Sequence, residues 1–420
     1  MAEFTVRGGK KLEGEIEVMG AKNSALKIMP ASLLFSTPIE VKNIPSIEDV
    51  FRMMDLLEGI GSDVTKISNS RFKIDSRGVE GKDLKKGIAE RFRGSIVLAG
   101  PLLARTKKVF FPHPGGCVIG KRPIDIFLEG WKKMGAAISE SKDGYEVSTK
   151  LLHGAEITFR NISVTATETL MMTAVLAHGK TILRNAAMEP EIPSLAEFLN
   201  RSGAKIKGAG TPIIEIDGTG GKLLRAKGSF EIIPDRIEAG DFLILGAALG
   251  KKIKVKNCEP AHLTAVISSL EHAGAEVKIE KNSVSISKPK ILTSCDIKTR
   301  EYPGFVTDVQ APFTVLMTQA KGESMIFETV FDGRLNYADE LSRMGAKITT
   351  LDPHRVLVHG PSPLHGREIE SPDLRAGLAF VIAALIAKGE STIKNVYQID
   401  RGYEKIEERL QNLGADIKRI

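Results

Sequence analysis

A single thiol, Cys117, lies in a glycine-rich stretch that two cations follow at once. The stretch reads FPHPGGCVIGKRPID, residues 111–125, and the cations are Lys121 and Arg122. A free thiol has a pKa of about 8.5, and neighbouring cations lower it. Two interpretations are open. Cys117 is either a small apolar residue beside a turn or a thiol that reacts with an anionic substrate.

Further charged and hydrogen-bonding residues stand just ahead of five apolar segments. They are Lys22, Asn23, Arg93, Asp235, Arg236, Asp308, Asp373 and Arg375. Helix N-termini carry free N–H groups and a partial positive charge, so they bind anions. Asp235 and Asp373 can equally be N-caps. Lys22, Arg93 and Arg375 are unfavourable at such positions unless an anion balances them, which favours an anionic substrate.

An internal repeat indicates which elements position these residues. Six glycines follow one another at separations of 74, 68, 71, 71 and 69 residues: Gly61, Gly135, Gly203, Gly274, Gly345 and Gly414. Each ends an amphipathic segment and supplies the left-handed position after a helix. Alternating residues follow each glycine, as in a half-buried strand. Each repeat also holds an earlier, more apolar helix that we expect to be buried, and a short β-run after it.

The repeat therefore reads βαβαββ and predicts an α/β (α+β) fold. A period of about seventy residues exceeds the roughly 20–50 residues of solenoid repeats. We expect the six repeats to gather into a few globular lobes, which agrees with the two or three domains that 420 residues suggest.

Composition excludes several classes of protein. No secretory signal begins the sequence, and no apolar run reaches the ~18 residues of a membrane span, so we expect no membrane insertion and a cytoplasmic location. Three cysteines without a CxxC pair argue against a disulfide framework or a structural zinc site. No phosphate-loop or dinucleotide fingerprint occurs, so we expect no cofactor and no metal.

The net charge of +7 is spread along the chain, and aromatic residues make up only 5%. A nucleic-acid surface usually has a concentrated basic stripe with stacking partners. The diffuse positive charge is better suited to a small polyanionic substrate, and we expect no nucleic-acid partner.

Five segments carry a resemblance to a known family. GAKNSAL, PGGCVIGKRPID, TDVQAPF, PDLRAG and IDRGYEKIEERL resemble, in order and over essentially the whole chain, the UDP-N-acetylglucosamine 1-carboxyvinyltransferases. The sister family of 3-phosphoshikimate 1-carboxyvinyltransferases shares the six-fold repeat but typically begins its first helix with Lys-Ser and lacks the cysteine loop. The resemblance implies transfer of the enolpyruvyl group of phosphoenolpyruvate to the 3′-hydroxyl of UDP-N-acetylglucosamine. Phosphate is released, in the first committed step of peptidoglycan precursor synthesis.

The resemblance also implies an architecture of two lobes, each an inside-out α/β barrel (prism) of three repeats, which close around the substrates. The first lobe would span residues 21–230 and carry the Cys117 loop as a lid. The second would comprise residues 1–20 and 231–420 and carry Asp308, Arg334, Arg375 and Arg401. Cationic groups from both lobes would then converge on phosphoenolpyruvate.

The resemblance implies a role for each site residue. Cys117 matches the proton donor that also forms a covalent adduct with phosphoenolpyruvate. Asp308 binds the sugar 3′-hydroxyl and can deprotonate it. The phosphoenolpyruvate clamp is Lys22, Arg122 and Arg401, with Arg334 and Arg375 nearby. The nucleotide-sugar contacts are Asn23, Arg93, Arg122, Pro123, Ile124, Asp125, Ile126, Ser163, Val164 and Val330. The chain departs from the family pattern at Phe127 and Asn161, and we expect both positions to face the nucleotide.

Three other functions remain open at this point. The chain could act on shikimate phosphate as the sister family does, or bind the nucleotide sugar without turnover as a regulator. Nucleic-acid binding, as in cyclases built from a related repeat, is the weakest alternative. The sequence leaves the oligomeric state open.

Overall fold

The computed structural model describes residues 2–80, 84, 87, 92–113, 120 and 123–420. Their apolar side chains form two separate cores, and the chain divides into two compact units. The C-terminal unit contains residues 2–19 and 234–420. The N-terminal unit contains the described residues between 20 and 113 and residues 123–233.

The described part of the C-terminal unit has three four-stranded sheets, each with one parallel pair and otherwise antiparallel pairs. The strands of the first sheet are, in spatial order, Glu368–Glu370, Glu390–Lys394, Phe4–Arg7 and Asp416–Arg419. Those of the second are Leu12–Glu17, Gly250–Lys256, Ser283–Ser287 and Glu276–Glu280. Those of the third are Ile297–Lys298, Gly322–Phe327, Arg355–Gly360 and Lys347–Asp352. Two strands from the beginning of the chain thus pair with strands from its second half.

The N-terminal unit repeats this arrangement. Its described residues form two four-stranded mixed sheets and one sheet of three antiparallel strands. The strands of the first mixed sheet are, in spatial order, Ser229–Glu231, Ile39–Lys42, Arg71–Asp75 and Asp63–Ser68. Those of the second are Glu156–Thr158, Lys180–Arg184, Ile213–Asp217 and Lys205–Lys207. The antiparallel sheet contains Lys108–Pro112, Gly144–Ser148 and Ala137–Ser141. The α/β class is confirmed, while closure of each lobe into a barrel stays a prediction.

Six apolar helices, here called the core helices, fill the two cores. They are Lys22–Ala31, Ala99–Thr106, Val164–Val175, Arg236–Leu249, Gln310–Met317 and Leu374–Ile386. Every residue of Arg236–Leu249 is buried, as the lack of a polar face predicts. Short 3₁₀ turns adjoin three core helices, at Ser32–Leu34, Arg93–Leu98 and Thr307–Val309.

Six amphipathic helices, here called the outer helices, follow the short strands. They are Glu48–Gly59, Asp125–Lys133, Glu191–Arg201, Thr264–His272, Ala338–Arg343 and Ile406–Asn412. A 3₁₀ turn, Pro260–Leu263, precedes the fourth, and a short helix, Tyr397–Asp400, precedes the last. All six repeat glycines have φ between +91° and +109°, so each ends its helix in the left-handed conformation that the sequence predicts.

An asparagine that the sequence analysis overlooked recurs directly after the short strand in four repeats. Asn43, Asn185, Asn257 and Asn395 have φ of 53–57°, a left-handed conformation that Asn tolerates. Each side chain donates a hydrogen bond of 2.8–3.0 Å to the carbonyl that directly follows the parallel edge strand. Because that carbonyl lies just before the next core helix, these asparagines fix the chain that enters the helix N-terminus.

None of the helices that the structure describes is long and apolar enough to span a membrane.

One buried ion pair joins two core helices of the N-terminal unit. The Lys27 ammonium lies 2.8 Å from the carboxylate of Glu168 and 3.1 Å from the carbonyl oxygen of Asn23. Glu168 is fully buried. Burial, with smaller contributions from Glu191 and Glu189, outweighs the opposing effect of Lys27 and raises the pKa of Glu168 to about 7. This carboxyl group therefore titrates near neutral pH.

Replacement of Glu168 by glutamine should remove a pH dependence of stability. The folded pKa of about 7 exceeds the ordinary value of 4.5, so the folded chain binds this proton more tightly than the unfolded chain. The contribution of Glu168 to the free energy of unfolding should therefore fall as pH rises from 4.5 to 7, by on the order of 3 kcal/mol. Urea unfolding of wild type and Glu168→Gln across this range measures the difference.

The matched control is Glu129→Gln, which removes an exposed carboxylate paired with Arg160 at 2.8 Å. This control should follow the wild-type pH dependence. Parallel curves for wild type and Glu168→Gln would contradict the assignment.

Candidate functional site

The cysteine loop lies outside the described residues. Residues 114–119, 121 and 122 are not among the described residues, so the structure does not test the predictions for Cys117 and Arg122.

In the C-terminal unit, Asp308 lies between two guanidinium groups. Its Oδ1 accepts a hydrogen bond of 2.6 Å from Nη2 of Arg334, and its Oδ2 lies 3.4 Å from Nη2 of Arg375. The side chains of Arg334 and Arg375 are only 5% and 7% exposed, whereas that of Asp308 is 23% exposed. We call these three residues the Asp308 cluster. Its carboxylate can be reached by a ligand, while its two cations are buried behind it.

Electrostatics keep Asp308 ionised. Burial alone would raise the pKa of Asp308, but the charges of Arg375 and Arg334, the hydrogen bond from Arg334 and the charge of Arg236 outweigh it. The net effect holds the pKa well below its ordinary value. Asp308 is therefore a carboxylate that accepts hydrogen bonds throughout the neutral range.

The elements around the Asp308 cluster explain its geometry. Asp308 lies in the 3₁₀ turn Thr307–Val309, directly before the core helix Gln310–Met317. Arg375 is in the first turn of Leu374–Ile386, where Asp373 caps the helix by accepting hydrogen bonds from the backbone N–H groups of Arg375 and Ala376 at 2.8 and 3.1 Å. Asp373 is thus an N-cap, and Asp308 supplies the anion that balances Arg375.

Asp235 has the same capping role in its own repeat. Its carboxylate accepts hydrogen bonds from the backbone N–H groups of Ile237 and Glu238 at 2.8 and 3.2 Å. The simpler of the two interpretations therefore holds for both aspartates.

A buried carboxylate that the sequence analysis missed, Glu328, supports Asp308 and Val330. Its Oε1 accepts hydrogen bonds from the backbone N–H groups of Val330 and Phe331 at 2.8 and 3.1 Å, and its Oε2 accepts one from the hydroxyl of Thr307 at 2.8 Å. Glu328 follows its strand directly, at the position that asparagine holds in four other repeats. A glutamate in place of this asparagine is the sequence signal that could have revealed Glu328.

Arg401 lies at the end of the short helix Tyr397–Asp400 and donates a 3.0 Å hydrogen bond to Gln398. Val330 is half-buried, with its backbone held by Glu328. Both belong to the C-terminal unit, as does the Asp308 cluster. The structure thus brings Asp308, Arg334 and Arg375 into direct contact, and it places Arg401 and Val330 in the same unit.

In the N-terminal unit, Lys22 pairs with an aspartate from an outer helix. The Lys22 ammonium lies 2.7 Å from Oδ2 of Asp49, which is 2% exposed. Lys22 begins its core helix, and Asn23 follows it. The protein itself therefore supplies an anion for this cation, so Lys22 at a helix N-terminus does not by itself require an anionic ligand.

Four of the predicted residues, together with three others, line a cavity of about 370 Å³ in the same unit. Its lining residues are Arg93, His113, Pro123, Ile124, Asp125, Leu128 and Tyr145. The aromatic ring of Tyr145 lies 4.9 Å from the ring of His113 in an edge arrangement. Two aromatic rings, a guanidinium and a helix N-terminus at Asp125 thus border one space.

Other predicted nucleotide contacts fall at helix ends or in the core. Ser163 caps Val164–Val175 by accepting a 3.3 Å hydrogen bond from the backbone N–H of Ala166, and Val164 is half-buried. Ile126 packs partly buried against the core. The expectation that Phe127 faces the nucleotide is wrong, because Phe127 is 4% exposed and its ring packs 6.2 Å from that of Trp131. Asn161 is exposed.

A larger cavity, of about 700 Å³, lies beside the C-terminal ends of core helices of the N-terminal unit. Its cations are engaged by backbone carbonyls: Arg105 donates to Leu33 and Phe35, and Lys107 donates to Ala104. None of the predicted site residues lines it. Among the residues that the structure describes, no group of three or more His, Cys, Asp or Glu side chains could hold a metal ion.

Comparisons with known proteins show the family to which the chain belongs. The family model of EPSP synthase (3-phosphoshikimate 1-carboxyvinyltransferase) matches residues 6–410. The UDP-N-acetylglucosamine 1-carboxyvinyltransferase of Koribacter versatilis is 43% identical over 423 residues, which cover 100% of this chain and 97% of the relative. The protein of the same name from Campylobacter lari is 43% identical over 420 residues, covering 100% of both chains.

Solved structures support the fold. The enolpyruvyl transferase NikO from Streptomyces tendae superposes with a TM-score of 0.89 at 24% identity, covering 100% of this chain and 99% of that one. EPSP synthase from Acinetobacter baumannii gives a TM-score of 0.77 at 19% identity, covering 100% of both chains. Because the family model spans most of the chain and the relatives match its full length, the chain belongs to the EPSP synthase family of enolpyruvyl transferases, together with the UDP-N-acetylglucosamine 1-carboxyvinyltransferases that it resembles.

Proposed function

We propose that the chain transfers the enolpyruvyl group of phosphoenolpyruvate to the 3′-hydroxyl of UDP-N-acetylglucosamine and releases phosphate. The observation that carries this proposal is the match, at 43% identity over the full length, to proteins named for this reaction. The reaction is the first committed step of peptidoglycan precursor synthesis. Both substrates are charged metabolites of the cytoplasm, so we place the enzyme there.

The reaction requires an acid, a base and cations. The hydroxyl oxygen attacks C2 of phosphoenolpyruvate while C3 gains a proton. The C2–O bond to phosphate then breaks as C3 loses a proton, which restores the double bond. For the proton donor we propose Cys117, which can also add to C2 as a covalent adduct. As the group that binds the sugar hydroxyl and accepts its proton we propose Asp308.

The low pKa of Asp308 defines how it can act. An ionised carboxylate is ready to accept a hydrogen bond from the sugar hydroxyl, but it is a weak base towards a neutral alcohol. Asp308 therefore orients the hydroxyl first and takes its proton only as the C–O bond forms and the hydroxyl becomes acidic. Its exposed fraction of 23%, against 5% and 7% for the two arginines, supports this assignment.

The phosphate and the carboxylate of phosphoenolpyruvate require cations. We propose Lys22, Arg122 and Arg401 as the clamp, with Arg334 and Arg375 near it. The bidentate fork of arginine matches carboxylate and phosphate geometry. Lys22 would exchange Asp49 for the substrate anion, or share its ammonium between them.

The nucleotide sugar has candidate contacts in the N-terminal unit. We propose the cavity of about 370 Å³ that Arg93 and residues 123–125 line, together with Asn23, Ile126, Ser163 and Val164. We also propose Val330, whose backbone Glu328 fixes, as a contact of the nucleotide sugar.

Phosphate release with different acceptors tests the proposed function directly. UDP-N-acetylglucosamine should support release from phosphoenolpyruvate, whereas shikimate 3-phosphate should not. The opposite preference would establish the sister activity, and binding of the nucleotide sugar without turnover would establish a non-catalytic duplicate. Salt-dependent retention of RNA at physiological ionic strength would favour nucleic-acid binding.

Substitution of Cys117 tests the proposed acid. Cys117→Ser should abolish phosphate release because a hydroxyl is too weak an acid to protonate C3. Cys117→Asp should retain part of the activity because a carboxylic acid can deliver the proton. Steady-state phosphate release at neutral pH measures both variants.

The matched controls are Cys258→Ser and Cys295→Ser, which should keep wild-type turnover. Burial raises the pKa of each of these thiols to about 11, so iodoacetamide at pH 7.5 should label the wild type once and Cys117→Ser not at all. Undiminished turnover by Cys117→Ser would refute the role of this thiol.

Replacement of Arg334 by glutamine tests the electrostatics of Asp308. Loss of this cation should raise the pKa of Asp308 towards its ordinary value of 3.8. The acid limb of the profile of kcat/KM against pH should then move to higher pH. Arg343→Gln, which removes an exposed arginine of the same unit, is the control. An acid limb at the same pH in wild type and Arg334→Gln would show that Asp308 does not set it.

A further inference from the structure

A fully buried carboxyl group lies within the apolar core helix Arg236–Leu249. Asp241 is 0% exposed, directly after Ala239 and Gly240 and directly before the apolar sequence FLIL. Burying a carboxyl group is costly unless hydrogen bonds compensate. A partner for Asp241 is therefore expected, and its identity decides what this residue does.

A chain of two hydrogen bonds leads from Asp241 towards the Asp308 cluster. The hydroxyl of Tyr403 donates to Oδ2 of Asp241 at 2.6 Å and accepts a hydrogen bond from Nη1 of Arg375 at 2.8 Å. The other terminal nitrogen of Arg375, Nη2, lies 3.4 Å from Oδ2 of Asp308. Tyr403 and Asp241 are buried and lie in the same unit as the cluster.

We propose that Asp241 is a positioning residue for the reaction: through Tyr403 it anchors Nη1 of Arg375, so that Nη2 makes only a long hydrogen bond of 3.4 Å to Oδ2 of Asp308 and this oxygen can also accept a hydrogen bond from the sugar hydroxyl. This inference rests on the proposed function, in which Asp308 receives that hydroxyl. Asp241 does not touch substrate and acts only through Tyr403 and Arg375.

The distances support this role. A free guanidinium beside a carboxylate tends to form two parallel hydrogen bonds of about 2.7–2.9 Å. Arg334 approaches Oδ1 of Asp308 to 2.6 Å, but Arg375 stays 3.4 Å from Oδ2. Tyr403 engages Nη1 of Arg375, and the guanidinium carbon lies 5.5 Å from the centre of the Tyr403 ring. Arg375 is therefore anchored on the side away from Asp308.

Arg375 is held through the hydrogen bonds of Tyr403, more than through the charge of Asp241. Burial raises the pKa of Asp241 well above its ordinary value, although Arg375 and the hydrogen bond from Tyr403 oppose this and Asp235 and Asp308 add to it. The neutral form is thus favoured. Burial also raises the pKa of Tyr403, so its hydroxyl remains a donor. An amide at position 241 offers the same acceptor oxygen as the neutral acid.

Four variants test the proposal in the phosphate-release assay with UDP-N-acetylglucosamine. Tyr403→Phe and Asp241→Leu should each lower kcat about tenfold or more, because a catalytic group displaced by an ångström loses up to about a hundredfold. KM for the nucleotide sugar should change less than threefold. The double variant should lose no more than the worse single variant, since both substitutions break the same chain. Asp241→Asn should stay within threefold of wild type.

The matched control is Tyr337→Phe, which removes another buried hydroxyl of the same unit, bonded to Thr314 at 2.8 Å. Thermal unfolding should show similar losses for Tyr337→Phe and Tyr403→Phe, but only the latter should lose kcat. If Asp241→Leu does not fold, the contrast between Tyr403→Phe and Asp241→Asn carries the test.

Three results would overturn the inference: kcat of Tyr403→Phe equal to that of Tyr337→Phe, additive losses in the double variant, or a loss in Asp241→Asn as large as in Tyr403→Phe. Each of them presupposes an active wild type. A wild type that releases no phosphate would instead refute the proposed function, so the two failures are distinguishable.

Discussion

A carboxylate held between two buried guanidinium groups must remain ionised, and the Asp308 cluster depends on this requirement. Arg334 and Arg375 are almost inaccessible to solvent, and Asp308 supplies the negative charge that they need. Removing it would leave uncompensated buried cations, which is among the costlier changes in a protein. The same contact makes Asp308 a stable acceptor of hydrogen bonds and a weak base, so the stability of this region and its proposed chemistry depend on one interaction.

The repeat explains how such a cluster can be built with little irregular structure. Four repeats use an asparagine to fix the chain that enters a core helix. At the equivalent place in the fifth repeat, Glu328 instead binds Thr307 and the backbone at Val330. The fifth repeat thus has a glutamate where four other repeats have an asparagine. The candidate site therefore adjoins one place, Glu328, where the repeat departs from its own pattern.

Local patterns in the sequence predicted much of this structure. The repeat glycines, the apolar core helices and the capping by Asp235 and Asp373 depend on residues close in the chain, where spacing and side-chain type suffice. The contacts of Lys22 with Asp49 and of Arg375 with Tyr403 were not predictable, because they join residues that only the folded chain brings together.

Burial was the other quantity that the sequence did not reveal. Phe127 occupies an apolar position of an outer helix, and only its packing against Trp131 shows that it belongs to the core. The burial of Asp241 follows from the predicted burial of its core helix, but its hydrogen bond with Tyr403 does not follow from the sequence. The roles of the site residues came from family resemblance, and they stay proposals.

The ionisation of Asp308 can be measured directly by ¹³C NMR of the aspartate side-chain carboxyls, with the Asp308 signal assigned by its absence in Asp308→Asn. The account predicts that this signal keeps the chemical shift of an ionised carboxylate down to the lowest pH at which the protein stays folded. A titration with the ordinary aspartate pKa of about 4 would contradict it.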